Sequence, residues 1–407
     1  MRARVPCLLW LLLAGWWSVG CRPTVLAPRY SPKDLEPALH AANAHLRRSM
    51  DAEGRFIYWQ HVDGRRSRGR EYNLLRHAGT LYAMAGYEAL FPSTTNRAAL
   101  ARGWRWLRRY AIGPVDGRTN QLAVWTTPEQ TGDPERRAKL GGAALALLAG
   151  VRIDAVHPGV VKREDLRALA EFIVSMQERD GRFYAIYYPG KGPDPEWTSL
   201  YYPGEAIMAL TALFELDRDP RWLEAAALGL EYRAFQGRRQ ELPDLPADHW
   251  TLLAMAEFWP QARHLQPGPD LDALEDHAAR LCERILLDQL SESVHPRLAG
   301  AFDRDGRTAP TATRIEGLLA AGSFLSAARV DLRERIQRAC ENGVRFLLTT
   351  QLREGPLAGG FPAATVKENG RHDASTGELR IDYTQHAMSA FMGYLRLFHG
   401  IGRAPIP

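Results

Sequence analysis

Cysteine is scarce in this chain of 407 residues: there are four, and Cys7 and Cys21 fall within the first 21 positions. No Cys-x-x-Cys pair and no Cys/His ligand spacing occurs, so neither a zinc-held scaffold nor any other metal or cofactor site is expected. Charge of one sign is also lacking. Lys and Arg number 52 against 47 Asp and Glu, a net charge of +5 that is modest for this length. Arg65, Arg66, Arg68 and Arg70 crowd one stretch, but without a reading module such a cluster is a solvated loop, and nucleic acid is not an expected partner. Beyond the N-terminal segment no apolar run is long enough to span a bilayer. Cys282 and Cys340 fall at similar positions on consecutive predicted outer helices, where a disulfide in an oxidising compartment and two buried thiols both fit.

What is present is a globular composition, 45% apolar and 24% charged, behind a distinctive N-terminus. Arg2 and Arg4 precede a mostly apolar run from Val5 to Val19, the anatomy of an export signal. Gly20-Cys21 resembles the bacterial lipoprotein cleavage site, with Ser18 where that pattern prefers Leu. The resemblance implies a signal peptide over 1–20, a lipidated Cys21 and a tether to residue 30. The protein would then be exported and held on a membrane surface, in the periplasm or at the cell surface. Secretion without lipid and a retained anchor are the alternatives.

Past the tether one grammar repeats. Ser31-Pro32-Lys33-Asp34 carries helix-start signals, and Leu35 to Met50 continues at helical spacing. A loop containing Gly54-Arg55-Phe56-Ile57-Tyr58 leads to Glu71–Tyr87, where Leu74, Leu75, Ala78, Leu81 and Ala85 share a helix face. The order of charged helix, loop and small apolar helix then recurs. Asn96–Tyr110 precedes Lys139-Leu140-Gly141-Gly142, and Arg163–Gln177 precedes Tyr202-Pro203-Gly204-Glu205. Pro220–Phe235 precedes Asp248-His249-Trp250. Asp270–Leu290 precedes Arg314-Ile315-Glu316-Gly317, and Leu332–Leu352 precedes Asp382-Tyr383-Thr384-Gln385-His386. Gly79, Gly142, Gly204, Gly317 and His386 lie 63, 62, 113 and 69 residues apart, the third interval spanning two units. Near-constant spacing with insertions in loops marks a diverged repeat. Six hairpins close into an all-α (α/α)6 toroid, one domain over 31–407, with the apolar second helices inside and the charged first helices outside.

On this pattern the chain resembles the six-hairpin toroid superfamily of glycoside hydrolases, polysaccharide lyases and sugar epimerases. It is also similar to the terpenoid-cyclase and prenyltransferase toroids. Gln177-Glu178-Arg179-Asp180-Gly181-Arg182-Phe183 matches their Gln...Asp-Gly-Phe/Trp loop well, and Gln351 to Phe361 matches it loosely. Their chemistry does not follow. The acidic motif that starts protonating cyclisation is absent, Asp270-Leu271-Asp272-Ala273 lying on an outer helix, and no Asp, Cys and His zinc set is present. The resemblance therefore implies a carbohydrate-active enzyme acting on a polysaccharide or oligosaccharide by acid–base chemistry, as a lyase, epimerase or hydrolase. The alternative is a lipoprotein that binds glycan or lipid without turning it over.

In such a toroid the inner-helix N-termini surround one funnel, where backbone amides favour anions. The residues at those ends are the candidates. Catalytic candidates are Tyr72, His77, Glu205, Asp248, Glu316, Asp382, Tyr383 and His386. Substrate-binding candidates are Asn73, Arg76, Trp197, Tyr202, His249, Trp250 and Arg314. Polar side chains on otherwise apolar inner helices need a partner or a cavity, so the set carries more weight than any member. Hydrolysis would draw its two carboxylates from Glu205, Asp248, Glu316 and Asp382, with Trp197, Trp250 and Tyr202 stacking on sugar rings. Lyase or epimerase chemistry would use Asn73 and Arg76 to hold a carboxylate while His77, Tyr72, Tyr383 or His386 move protons. Asp248 and Asp382 are equally placed to be N-caps, and Arg314 with Glu316 to be an ion pair.

Overall fold

Among the described residues twelve helices of ten residues or more follow one another in the order the repeat predicts. The computed structural model describes residues 27–67, 71–132, 134–364 and 376–402; the signal segment, Cys21, Arg68 and Arg70 lie outside the described residues. The six inner helices are Leu74–Leu90, Leu140–Val156, Tyr202–Asp217, His249–Phe258, Thr308–Gly322 and Ile381–His399. Each packs on the next, and the sixth returns to pack on the first, so the ring is closed. The outer helices are Pro32–Arg48, Thr94–Tyr110, Arg163–Ser175, Pro220–Arg238, Leu271–Leu286 and Val330–Thr350. The fold is the (α/α)6 toroid.

Each layer is written in its residue spacing. The second inner helix is buried without a break from Leu140 to Val151, as a helix with neighbours on all sides must be. The outer helix Leu271–Leu286 buries Leu274, His277, Ala278, Leu281, Cys282 and Ile285, a stripe at three- and four-residue steps. Cys282 and Cys340 are both buried and free, so the disulfide does not form. Among the described residues no helix is long and apolar enough to cross a membrane.

The glycine-aromatic loops turn out to be clamps between neighbouring units. Gly54, Gly181, Gly300 and Gly359 all have positive φ, between 87° and 104°. A Cβ on any of them would stand 2.0–2.3 Å from a carbonyl oxygen of an outer helix, at Arg102, Leu228, Asn342 and Ala41 respectively. Only glycine allows both the turn and that approach. In three of these loops a glutamine completes the clamp. The side-chain amides of Gln177, Gln289 and Gln351 donate to the carbonyls of Ala225, Ala339 and Ala38 on the adjoining outer helix, at 2.9, 2.8 and 2.9 Å. The Gln289 unit, with Phe302 buried behind it, belongs to the same series, although its longer insertion hides it in the sequence.

Two details of the ends place the site. Strand Trp59–His61 pairs antiparallel with Glu378–Arg380, stitching the loop before the first inner helix to the loop before the sixth. The fifth inner helix begins at Thr308, six residues before the start read from sequence. Pro310 looks like a helix boundary, but it sits in the first turn, where the backbone N–H has no helical acceptor to lose. Arg314 and Glu316 consequently lie in the second and third turns, below the rim.

Candidate active site in the funnel

The N-terminal halves of the inner helices enclose a cavity of about 530 Å³. Asn73 caps the first inner helix by accepting from the Arg76 N–H at 3.2 Å, and the helix then presents Arg76 to the funnel. The Nε of Arg76 donates to Asp382 at 2.8 Å, and its Nη1 bonds the Tyr58 hydroxyl. Arg380 grips the same carboxylate through Nε and Nη2 at 3.2 and 3.1 Å, with its guanidinium 4.3 Å from the centre of the Tyr383 ring. Asp382 is thus shared between two guanidiniums. Arg380 was not among the sequence candidates, because it precedes its helix; a basic residue two positions before an acidic helix start was the available signal.

Deeper in the funnel stand two histidines whose pKa values are pushed in opposite directions. Their ring centroids are 6.0 Å apart, with the planes at 79°. His386 Nδ1 lies 3.0 Å from Glu316 Oε2. Burial alone would lower its pKa, but the charge and hydrogen bond of Glu316 outweigh burial and raise it. His249 is 2% exposed, and neither of its ring nitrogens has a hydrogen-bond partner. Burial first, then the charges of His386 and Arg314, hold it well below the usual imidazole value, so it is neutral. Its position is fixed by close approach of backbones: a Cβ on Gly317 would meet the His249 Cβ at 2.9 Å.

Glu205 lines the funnel from the third inner helix, which packs beside that of His249; it is 5% exposed, with Oε2 unpartnered. Burial, reinforced by Asp248, raises its pKa well above the carboxylate range and keeps it protonated. Gly141 makes room for it, since a Cβ there would stand 2.2 Å from that oxygen. Tyr202, Trp250, Arg314 and Tyr383 complete the funnel wall.

Five candidates lie elsewhere. Tyr72 and His77 are buried between the two rings. The Phe56 N–H donates to the Tyr72 hydroxyl at 3.1 Å, that hydroxyl donates to His77 Nδ1 at 2.6 Å, and His77 Nε2–H donates to the Gly103 carbonyl at 3.1 Å. Gly103 O can only accept, which fixes the tautomer. His77 is 0% exposed and stacks on Trp106; it braces the layers and does not reach the funnel. Asp248 caps the fourth inner helix through the Thr251 N–H at 3.1 Å and pairs with Arg233 of an outer helix. Trp197 is 43% exposed and leans on Tyr202 outside the funnel lining. Glu316 stands behind His386, facing a separate cavity of about 330 Å³ between the C-terminal halves of the inner helices. Arg314 makes no ion pair with it. For His77 and Glu316 the helical period turned the side chain away from the funnel, whereas Tyr72, Asp248 and Trp197 stand before the helices they lead into.

His249, Glu316 and His386 also offer three ligand atoms that all lie within 4.8 Å of one another, a cluster that three distant helices assemble and no sequence spacing reveals.

No family model matches the chain, and no curated protein matches it by sequence. Solved structures match over nearly its whole length. A D-mannose isomerase superposes with a TM-score of 0.67 at 12% identity, covering 90% of this chain and 98% of its own. The cellobiose 2-epimerase of Spirochaeta thermophila DSM 6192 gives 0.60 at 17%, covering 91% and 100%. An α-mannanase of Bacteroides thetaiotaomicron gives 0.60 at 11%, covering 90% and 97%. At such identity the likeness carries the architecture: this chain shares the six-hairpin toroid with sugar isomerases, epimerases and glycosidases.

Proposed function

We propose that the protein is a carbohydrate-active enzyme that moves a proton at carbon on the reducing-end sugar of its substrate, as an epimerase or isomerase. The observation that carries this reading is the pair His249 and His386, one pushed below and one above the usual imidazole pKa, with ring centroids 6.0 Å apart in the funnel. Two titratable groups whose surroundings push their pKa values apart supply a base and an acid. With an open-chain aldose, His249 takes the proton from C2, the electrons pass into the C1–C2 bond as an enediolate, and the His386 imidazolium donates a proton. Donation to C2 from the other face inverts that centre, whereas protonation at C1, with the proton on O2 passing to O1, gives the ketose. The neighbours named as a D-mannose isomerase and cellobiose 2-epimerases support the reading.

Hydrolysis is less well served. It needs one ionised and one protonated carboxylate across the scissile bond. Asp382 is engaged by Arg76 and Arg380, Asp248 faces Arg233, and Glu316 stands behind His386, which leaves Glu205 alone. The test is incubation of the protein lacking residues before Arg22 with a panel of reducing sugars and oligosaccharides in deuterium oxide. Deuterium should enter at C2, and His249→Asn and His386→Asn should each abolish the exchange. New reducing ends or unsaturated products without exchange would assign a hydrolase or a lyase instead, and binding without turnover would assign a glycan-binding protein. Loss of activity on chelation, restored by a divalent ion, would replace the acid–base reading with a metal centre on His249, Glu316 and His386.

Export and tethering through Cys21 belong to the same proposal. Arg2, Arg4, the apolar run and Gly20-Cys21 support it. Mass spectrometry of the mature N-terminus should find diacylated Cys21 as residue one, and a Cys21→Ala protein should leave the membrane fraction.

A further inference from the structure

The charges that line the funnel do not balance, and the imbalance names the substrate more closely. Arg76 and Arg380 share the single carboxylate of Asp382. Arg307, at the rim, is matched by Asp303, to which its Nη2 donates at 2.6 Å. Among the described residues Arg314 has no carboxylate partner. Its one hydrogen bond among the described residues is a long contact of 3.3 Å from Nη1 to the Thr313 hydroxyl, and its Nε is buried without any partner. On the acidic side Glu205 also lacks a partner for Oε2 and stands too deep to ionise beside Asp248. His386 and Glu316 cancel each other. Among the described residues the funnel therefore holds an excess of two positive charges: one around Asp382 and one on Arg314, which lines the same cavity as His249. A half-buried guanidinium whose buried Nε is idle is costly unless the ligand supplies its acceptor.

We propose that the substrate is an acidic sugar whose anionic group is bound by Arg314, which presents the planar fork that suits a carboxylate or the oxygens of a phosphate ester. This rests on the reading of the funnel as the site of sugar turnover. The anion would neutralise the idle guanidinium in the bound ground state, so the same contact selects acidic over neutral sugars. Arg314 is a binding residue here and takes no part in the proton transfers.

The test separates this from the proposed reaction by measuring binding and exchange independently. Calorimetric titration of the protein with glucuronate, glucose 6-phosphate and glucose should show binding of at least one anionic sugar and weaker binding of glucose. Arg314→Gln should weaken the anionic ligand about ten- to a hundredfold, the value of a lost hydrogen bond to a charged group, and weaken glucose by a smaller factor. Arg314→Lys, which keeps the charge and loses the fork, should recover part of the affinity and also shows that a loss in Gln is not misfolding. Glucuronate against glucose 6-phosphate decides between carboxylate and phosphate. Equal binding of glucose and the anionic sugars, or an Arg314→Gln protein that binds the anion like the parent, overturns the proposal even if deuterium exchange is observed. Conversely, Arg314-dependent binding of an anionic sugar without exchange upholds it and removes the epimerase reading.

Discussion

The two funnel histidines differ because their second neighbours differ. Glu316 hydrogen-bonds His386, whereas neither ring nitrogen of His249 has a hydrogen-bond partner, and aromatic rings, Arg314 and the backbone of the fifth inner helix surround it. Glu316→Gln removes the charge that raises His386, so its pKa should fall and the imidazolium be lost at lower pH. The alkaline limb of the pH–rate profile should then move to lower pH by about one unit or more, each unit corresponding to about 1.4 kcal/mol of lost interaction. An unmoved limb would mean that another group carries the donated proton. Since the folded pKa of His386 is raised, its pairing stabilises the fold fully below the unfolded imidazole value and is lost as pH rises through the folded value. His77 makes the contrasting case. It bridges Tyr72 and Gly103 outside the funnel, so His77→Ala should cost about 2–5 kcal/mol in chemical denaturation as a buried truncation. The exchange activity of the folded protein should persist, and its abolition would return His77 to the reaction.

Among the elements, the glycine–glutamine clamps set the inter-unit geometry, and one of them joins the ends of the chain. Gln351 lies just after the sixth outer helix and donates to Ala38 O on the first and to Gly359 O in its own loop, at 2.9 and 3.0 Å. Gln351→Ala leaves both carbonyls short of a buried donor, and should lower stability by about 1–3 kcal/mol in urea unfolding. Gln177→Ala, at a part-buried clamp inside the chain, should cost less. Equal effects would show that ring closure has no special weight. The clamps were half legible: Gln177 to Phe183 and Gln351 to Phe361 stand out in the sequence, while the Gln289 unit is masked by the insertion before Gly300.

On the scale of the molecule, the closed ring sinks several ionisable groups deep between its layers. Burial is the leading cause that lowers His45 to about 4 and His77 and His277 to about 3. A lowered folded pKa means that the unfolded chain binds more protons between that value and the unfolded imidazole value. Stability should therefore fall as pH drops from about 6.5 towards 3, by up to about 1.4 kcal/mol per pH unit for each histidine. Thermal unfolding across that range should show the fall, and His77→Phe, which cannot take up a proton, should make it shallower. A melting temperature independent of pH in that window would contradict burial of these histidines in neutral form.

Length, the period of near 63 residues and the alternation of charged with small apolar helices determined the toroid by themselves, because repeat spacing and one-sided apolar stripes are local properties of the chain. The same reading placed Asn73, Arg76, Tyr202, Glu205, His249, Trp250, Arg314, Asp382, Tyr383 and His386 at the funnel, where they stand. It could not separate them from Tyr72, His77 and Asp248, since one residue of shift at a helix start rotates a side chain by about 100° and moves it from the cavity to the seam between rings. The partners that give each group its charge were decided by tertiary structure alone. Glu316 meets His386 across 70 residues, and Arg76 meets Asp382 across 306. Closing the ring brings such positions together, and burial there decides which of them holds a proton.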